Sequence, residues 1–212
     1  MMRFAAILLL LTSVLLTMSG CAHTVTEKGG AYVDAATGIS YTYAGFDWMP
    51  MDVGDRYATI KTGSTTYPLY TVKELSPEKW LCTEDGDLFY ASGVTMPTLE
   101  TFGADGLLLC RQKSKDTLVS NVDDAETVAA IVDRFLTGPA IFEPAADPID
   151  RLELYLTSSE NAGIRYHLIL LFYEEPVAFT EDGFDYVTNV LMYSRALNRY
   201  VDGGAFFSTY AA

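Results

Sequence analysis

The feature that most constrains this chain is a two-residue hydrophobic period, repeated in short runs and broken by turn-forming residues. Ile39, Tyr41 and Tyr43 alternate with Ser40, Thr42 and Ala44, and Leu152, Leu154 and Leu156 alternate with Arg151, Glu153 and Tyr155. Successive side chains of a strand point to opposite faces, so such a run makes a ribbon that is apolar on one side. Runs at 56–61 and 66–73 flank Thr62-Gly63-Ser64-Thr65, and Trp80-Leu81-Cys82-Thr83 and Leu88-Phe89-Tyr90-Ala91 flank Glu84-Asp85-Gly86-Asp87. Both are hairpin signals, because glycine takes positive φ without a Cβ clash. Pro68 has no N–H to give a ladder and predicts an edge strand. Residues 106–112 and 164–173 read as buried strands, and 186–193, 199–201 and 206–210 as later ones. Thr83-Glu84-Asp85-Gly86 recurs as Thr180-Glu181-Asp182-Gly183, which reads as two similar hairpin turns.

One segment has the other period. Val128, Ile131, Val132 and Phe135 fall at i, i+3, i+4 and i+7, which predicts a helix over about 124–137. Asp123 is the expected N-cap, with Glu126 three residues on, and Gly138-Pro139 the stop. Together these elements predict an α+β fold: antiparallel sheets with one main amphipathic helix packed on a sheet face. One domain over residues 31–212 is expected, with two subdomains meeting near 112–123 as the alternative.

The N-terminus is of a different kind. Met1-Met2-Arg3 is followed by an uncharged apolar run to Met18, then Ser19, Gly20 and Cys21. A charged start, an apolar middle and a small-residue end form an export-signal pattern. The run is shorter than the roughly 20 apolar residues a membrane-spanning helix needs. Met18-Ser19-Gly20-Cys21 resembles the lipobox of bacterial lipoproteins, although that class usually has Leu where Met18 stands. The resemblance covers the signal alone. It implies cleavage between Gly20 and Cys21, removal of residues 1–20, a diacylglycerol on the Cys21 sulfur and further acylation of its amine. Each buried methylene contributes about 0.8 kcal/mol, so two or three chains hold a protein stably at a membrane surface. The expected localisation is therefore lipid-anchored on the extracytoplasmic face of the cell membrane. Ala22 after the cysteine resembles outer-membrane sorting in a two-membrane cell. Residues 21–30, polar and ending in two glycines, read as a tether containing His23.

Charge excludes one class of partner. The chain has 14 Lys+Arg against 28 Asp+Glu, a net −14, and the signal holds only a single basic residue, Arg3. Such a surface repels phosphate, so nucleic acid is not an expected partner. Hydrophobic residues make up 50% of the chain, which argues for a folded body. The 14 tyrosines suit strands and also suit recognition surfaces. With Cys21 acylated, Cys82 and Cys110 are left as candidates for a disulfide closing a loop of about 29 residues, or for two buried thiols.

No catalytic signature emerges. His23 lies in the expected tether, and His167 shares a strand face with Arg165, Ile169 and Leu171 as a structural histidine. Nucleophile-elbow, zinc-helix and phosphate-loop motifs are absent from the sequence. Carboxylate pairs of the kind that hydrolyse glycosides can be drawn from Glu84, Asp85, Asp87, Asp123, Asp124, Glu174, Glu175, Glu181 and Asp182, but acids abound and most sit in turns. Asp85-Gly86-Asp87 departs early from a calcium-loop pattern. The sequence therefore leads to a non-catalytic, cofactor-free and metal-free binding module for a protein, peptide or glycan. An acidic inhibitor or immunity-type lipoprotein and a carboxylate hydrolase are the alternatives.

Overall fold

The computed structural model of the protein describes residues 23–112 and 116–210. The signal, Gly20 and Cys21 lie outside them. Strands β1 (His23–Lys28), β2 (Ala31–Asp34), β3 (Ser40–Tyr43), β5 (Val53–Thr62), β6 (Thr65–Val72), β7 (Trp80–Cys82) and β8 (Leu88–Ala91) close into a barrel of order β1-β2-β3-β8-β7-β6-β5. All of its pairs are antiparallel except the closing one, where β1 runs parallel to β5 with Val25 opposite Ile60. The ten-residue β5 shifts register against β6 between Val53 and Arg56 and again between Arg56 and Ala58. Bulges of this kind bend a strand and let a short sheet close on itself.

The second unit is a sheet of order β10-β9-β11-β12-β13-β14, antiparallel throughout. Its members are β9 (Gly106–Gln112), β10 (Asp116–Val122), β11 (Asp150–Thr157), β12 (Ile164–Glu181), β13 (Phe184–Ser194) and β14 (Arg199–Asp202). A seventh strand, β4 (Trp48–Pro50), leaves the barrel after β3 and pairs with the start of β12, Tyr166 opposite Trp48. The cross-strand rows Leu109–Leu154–Leu168 and Leu152–Leu170–Met192 line the inner face of this sheet.

Barrel and sheet share a core. Val25, Ala58, Ile60, Leu69, Leu81 and Phe89 fill the barrel interior, whereas the outward-facing Val72, Cys82 and Leu88 join the leucines of the sheet in one apolar cluster. Trp48 and Phe102 meet edge-on inside that cluster at 5.1 Å. A carboxylate locks the junction. Asp47, 1% exposed, accepts from the Tyr166 hydroxyl at 3.0 Å, from the Ser194 hydroxyl, and from the N–H groups of Arg195 and Ala196 at 3.1 Å each.

These findings correct the expected fold class. Among the described residues strand outweighs helix, 52% to 11%, and the architecture is a closed barrel joined to a sheet, not an α+β fold organised by one main helix on a sheet face. The α-helices among the described residues are short: α1 (Ala125–Thr137) and α2 (Gly204–Phe207). Val128, Ile131 and Phe135 of α1 are buried, but the core they enter is built from strands and includes the barrel wall, a surface no local period announces. The N-cap is Asp124, not Asp123; its side chain accepts from the Thr127 N–H at 3.0 Å. Residues 204–210 turn helical where a last strand was expected. Asp202 accepts from the Gly204 N–H at 2.8 Å, and Phe207 drops into the shared core. The expected tether is also corrected, because residues 23–28 are a barrel strand with Val25 fully buried. The barrel strands all precede residue 92, and β9–β14 with β4 make the sheet. β6 lies between β5 and β7, yet β7 covers only Tyr70 and Thr71, so Pro68 faces no strand on that side. Cys82 and Cys110 are both buried, one in the barrel wall and one in the sheet, and no bridge joins them.

Candidate ligand site at the barrel mouth

The two ends of the barrel differ. At the end where β1 begins, buried Asp34 accepts from the Tyr57 hydroxyl at 2.8 Å, the Thr37 hydroxyl at 2.9 Å and the Ala36 N–H at 2.8 Å. The Tyr41 hydroxyl donates to the Pro77 carbonyl at 2.8 Å beside them. This network plugs that end. Burial first, and then the hydrogen bond to Asp34, pushes the Tyr57 phenol far above its usual range.

At the other end, residues of β2, β5, β6 and β8 and the β7–β8 turn surround a cavity of about 370 Å³. That volume falls within the range of small-ligand sites, and barrel mouths are a common place for them. Ile60 and Phe89 form its floor, continuous with the barrel interior, and Tyr32, Tyr67 and Pro68 its apolar walls. Tyr32 meets Phe89 edge-on at 5.1 Å, and Tyr43 leans on Phe89 at 5.7 Å and on Phe46 at 5.8 Å. Glu84, Asp85 and Asp87 of the β7–β8 turn supply the polar rim with Thr62 and Thr83, and the lining contains no Lys or Arg. Gly86 makes this turn feasible: its φ is +96°, and a Cβ there would lie 2.6 Å from the Met49 methyl. Burial and then the neighbouring Asp87 carboxylate push the Tyr43 phenol up to about 12. Tyr32 is raised by burial and then by Glu27 and Asp87.

The other acids named from sequence do not converge on this site. Asp124 caps α1, and Thr127 hydrogen bonds hold its carboxyl below the usual range. Glu174 and Glu175 lie at the exposed bulge in β12. Glu181 pairs with Arg134 at 2.5 and 2.9 Å, and Asp182 turns the β12–β13 hairpin at φ +51°. The repeated Thr-Glu-Asp-Gly therefore sits at two hairpin turns of different context, one on the mouth and one at the end of a long ribbon.

His167 lies on the outer sheet face with Arg165, its ring stacked on Tyr155 at 5.0 Å and its Nε2 2.6 Å from Glu153. Glu153 also accepts from Arg151 Nη2 at 2.6 Å and Nε at 3.1 Å. Burial works to raise this carboxyl, and the hydrogen bonds from His167 and Arg151 outweigh it, so the net shift is downward. The Arg165 guanidinium lies 3.8 Å over the Tyr155 ring. His167, Glu153 and Arg151 are hydrogen-bonded to one another, the arrangement of a face-stabilising network, whereas Arg165 Nε is buried without a hydrogen-bond partner. Among the described residues no group of three or more His, Cys, Asp or Glu is placed to hold a metal, and no helix is long and apolar enough to cross a membrane.

Sequence reasoning named Glu84, Asp85 and Asp87 of this site but missed Tyr32, Tyr67 and Phe89 as a set. Comparison of the chain with family models, with curated proteins and with solved structures returns no match.

Proposed function

We propose that this protein is a non-catalytic binding lipoprotein, held on the extracytoplasmic side of a membrane through Cys21, which takes its ligand at the barrel mouth. The observation that carries the binding half is the aromatic-walled cavity with an open rim at one barrel end and a hydrogen-bonded plug at the other. The anchoring half rests on the lipobox resemblance at residues 18–21. The two halves are compatible in space. Only Ala22 separates Cys21 from β1, a reach of at most about 7 Å, and the plugged end is the end where β1 starts. The mouth lies at the far end of this six-residue strand, about 20 Å away, and opens away from the anchor.

A photo-crosslinking residue at position 67, on intact cells producing the full chain, tests the binding half. The expected result is a discrete adduct that disappears when Tyr32 is replaced by alanine. A control at Leu118, on the exposed outermost strand of the sheet, is expected to give none. Equal labelling at both positions, or labelling at 118 alone, would move the binding surface away from the mouth.

A further inference from the structure

We infer that the ligand group received by the mouth is an organic cation, an alkylammonium. This deepens the proposed function and rests on it. The floor of the cavity is apolar and continuous with the barrel interior, Phe89 being 5% exposed and Ile60 3%. Three rings line it, Tyr32, Tyr67 and Phe89, and the planes of Tyr32 and Phe89 are 82° apart. Rings set as adjoining walls present the negative faces of their π systems to an enclosed guest, which attracts a cation and offers nothing to an anion. The same aromatic run already carries a cation of the protein's own, the Arg195 guanidinium 5.3 Å from the Phe46 ring centre.

Charge points the same way. Glu84, Asp85 and Asp87 rim the cavity without a basic residue in its lining, and Glu27 acts with Asp87 on Tyr32. Among the described residues none of these four carboxylates is in an ion pair, although ion pairs hold Glu153, Glu181 and Asp202 elsewhere. A neutral or anionic guest would bury uncompensated carboxylates, whereas an ammonium on a flexible apolar stem satisfies both the rings and the rim. Lysine side chains of a peptide and free diamines share this chemistry.

The test is isothermal titration of the full chain in detergent with Nα-formyl-lysine amide, with its Nε-acetyl derivative, which keeps the stem and loses the charge, and with 1,5-diaminopentane. Binding of the two cations, with the acetylated compound at least about tenfold weaker, is expected. Tyr67→Leu and Asp87→Asn should each weaken the cations several-fold without changing the unfolding midpoint, because Tyr67 is 49% exposed and Asp87 is exposed. Affinity should fall as salt is raised, since the rim is open to solvent. Binding of Nα-formyl-lysine amide without diaminopentane would assign the site to a peptide-like cation; the reverse would assign it to a free amine. Equal binding of charged and acetylated compounds would overturn the cation assignment while leaving the mouth a binding site. Binding of none of the three, with the position-67 adduct still present on cells, would overturn it as well. Loss of that adduct too would remove the proposed function itself.

Discussion

Replacing Asp47 by alanine tests whether barrel and sheet are one cooperative body. Its carboxylate accepts four hydrogen bonds: one oxygen takes the Arg195 and Ala196 N–H groups, and the other takes the Tyr166 and Ser194 hydroxyls. Hydrogen bonds to a charged group are worth about 1.5–3 kcal/mol each, but bonds to one carboxylate are not additive. Ser194 keeps one partner, since its oxygen also accepts from the Leu197 N–H at 3.0 Å. Removing the carboxylate leaves neutral donors unpaired at about 1–3 kcal/mol each, not additively, which gives a loss of about 3–5 kcal/mol. With a urea m-value of about 2–3 kcal/mol/M, the midpoint should fall by about 1–2 M with the slope unchanged. Asp47→Asn keeps one acceptor oxygen and turns an NH₂ toward two donors, so it should lose about half as much. Trp48 reports the shared core and Trp80 the barrel wall, and fluorescence-detected urea unfolding should give the same midpoint from single-tryptophan variants. A loss under about 1 kcal/mol for Asp47→Ala, or barrel and sheet transitions that separate in the parent protein, would refute the shared-core reading.

Three other outcomes follow from the same structure. Glu153 is held below its ordinary value of 4.5, so its stabilising contribution is complete above that value and is lost as pH falls through the lower folded one; Glu153→Gln should flatten the acid limb of a stability–pH curve, and an unchanged limb would contradict the assignment. Cys82 and Cys110 are buried and unbridged, with burial pushing the Cys82 thiol up to about 12, so the folded protein should resist thiol reagents and keep its intact mass on reduction; a mass change on reduction would show a bridge. In the lipidated protein on vesicles, a fluorophore at Ala36→Cys, near the plugged end, should be quenched by a headgroup quencher and one at Ser64→Cys, on the mouth, should not; the reverse order would turn the barrel over.

Local chemistry made many elements legible. The alternations at Tyr41 and Tyr43 and at Leu152, Leu154 and Leu156 are strands β3 and β11, and Asp85-Gly86 and Gly63-Ser64 are turns. What escaped depends on pairing at long range. Residues 23–28 are polar on composition, with Val25 and the Thr residues as the only hint, and their place in the barrel comes from a parallel ladder with β5, which pairs His23 with Ala58, a partner no local pattern encodes. The stripe of α1 is real local information, but which surface it meets depends on the barrel wall, and hence on Val72, Cys82 and Leu88 pointing outward. Phe206 and Phe207 belong to an apolar run too short for periodicity to separate helix from strand. The tyrosine count announced recognition or strand packing without choosing. Tyr32 and Tyr67 come together only because β2 and β6 curl toward one opening, next to acids that sequence could name but not place.

The most direct test of the whole account is the mass of the N-terminal peptide of the protein taken from producing-cell membranes. The account predicts a peptide that begins at Cys21 and carries a diacylglyceryl group with an acylated amine. A peptide that begins upstream of residue 21, or an unmodified Cys21, would contradict it.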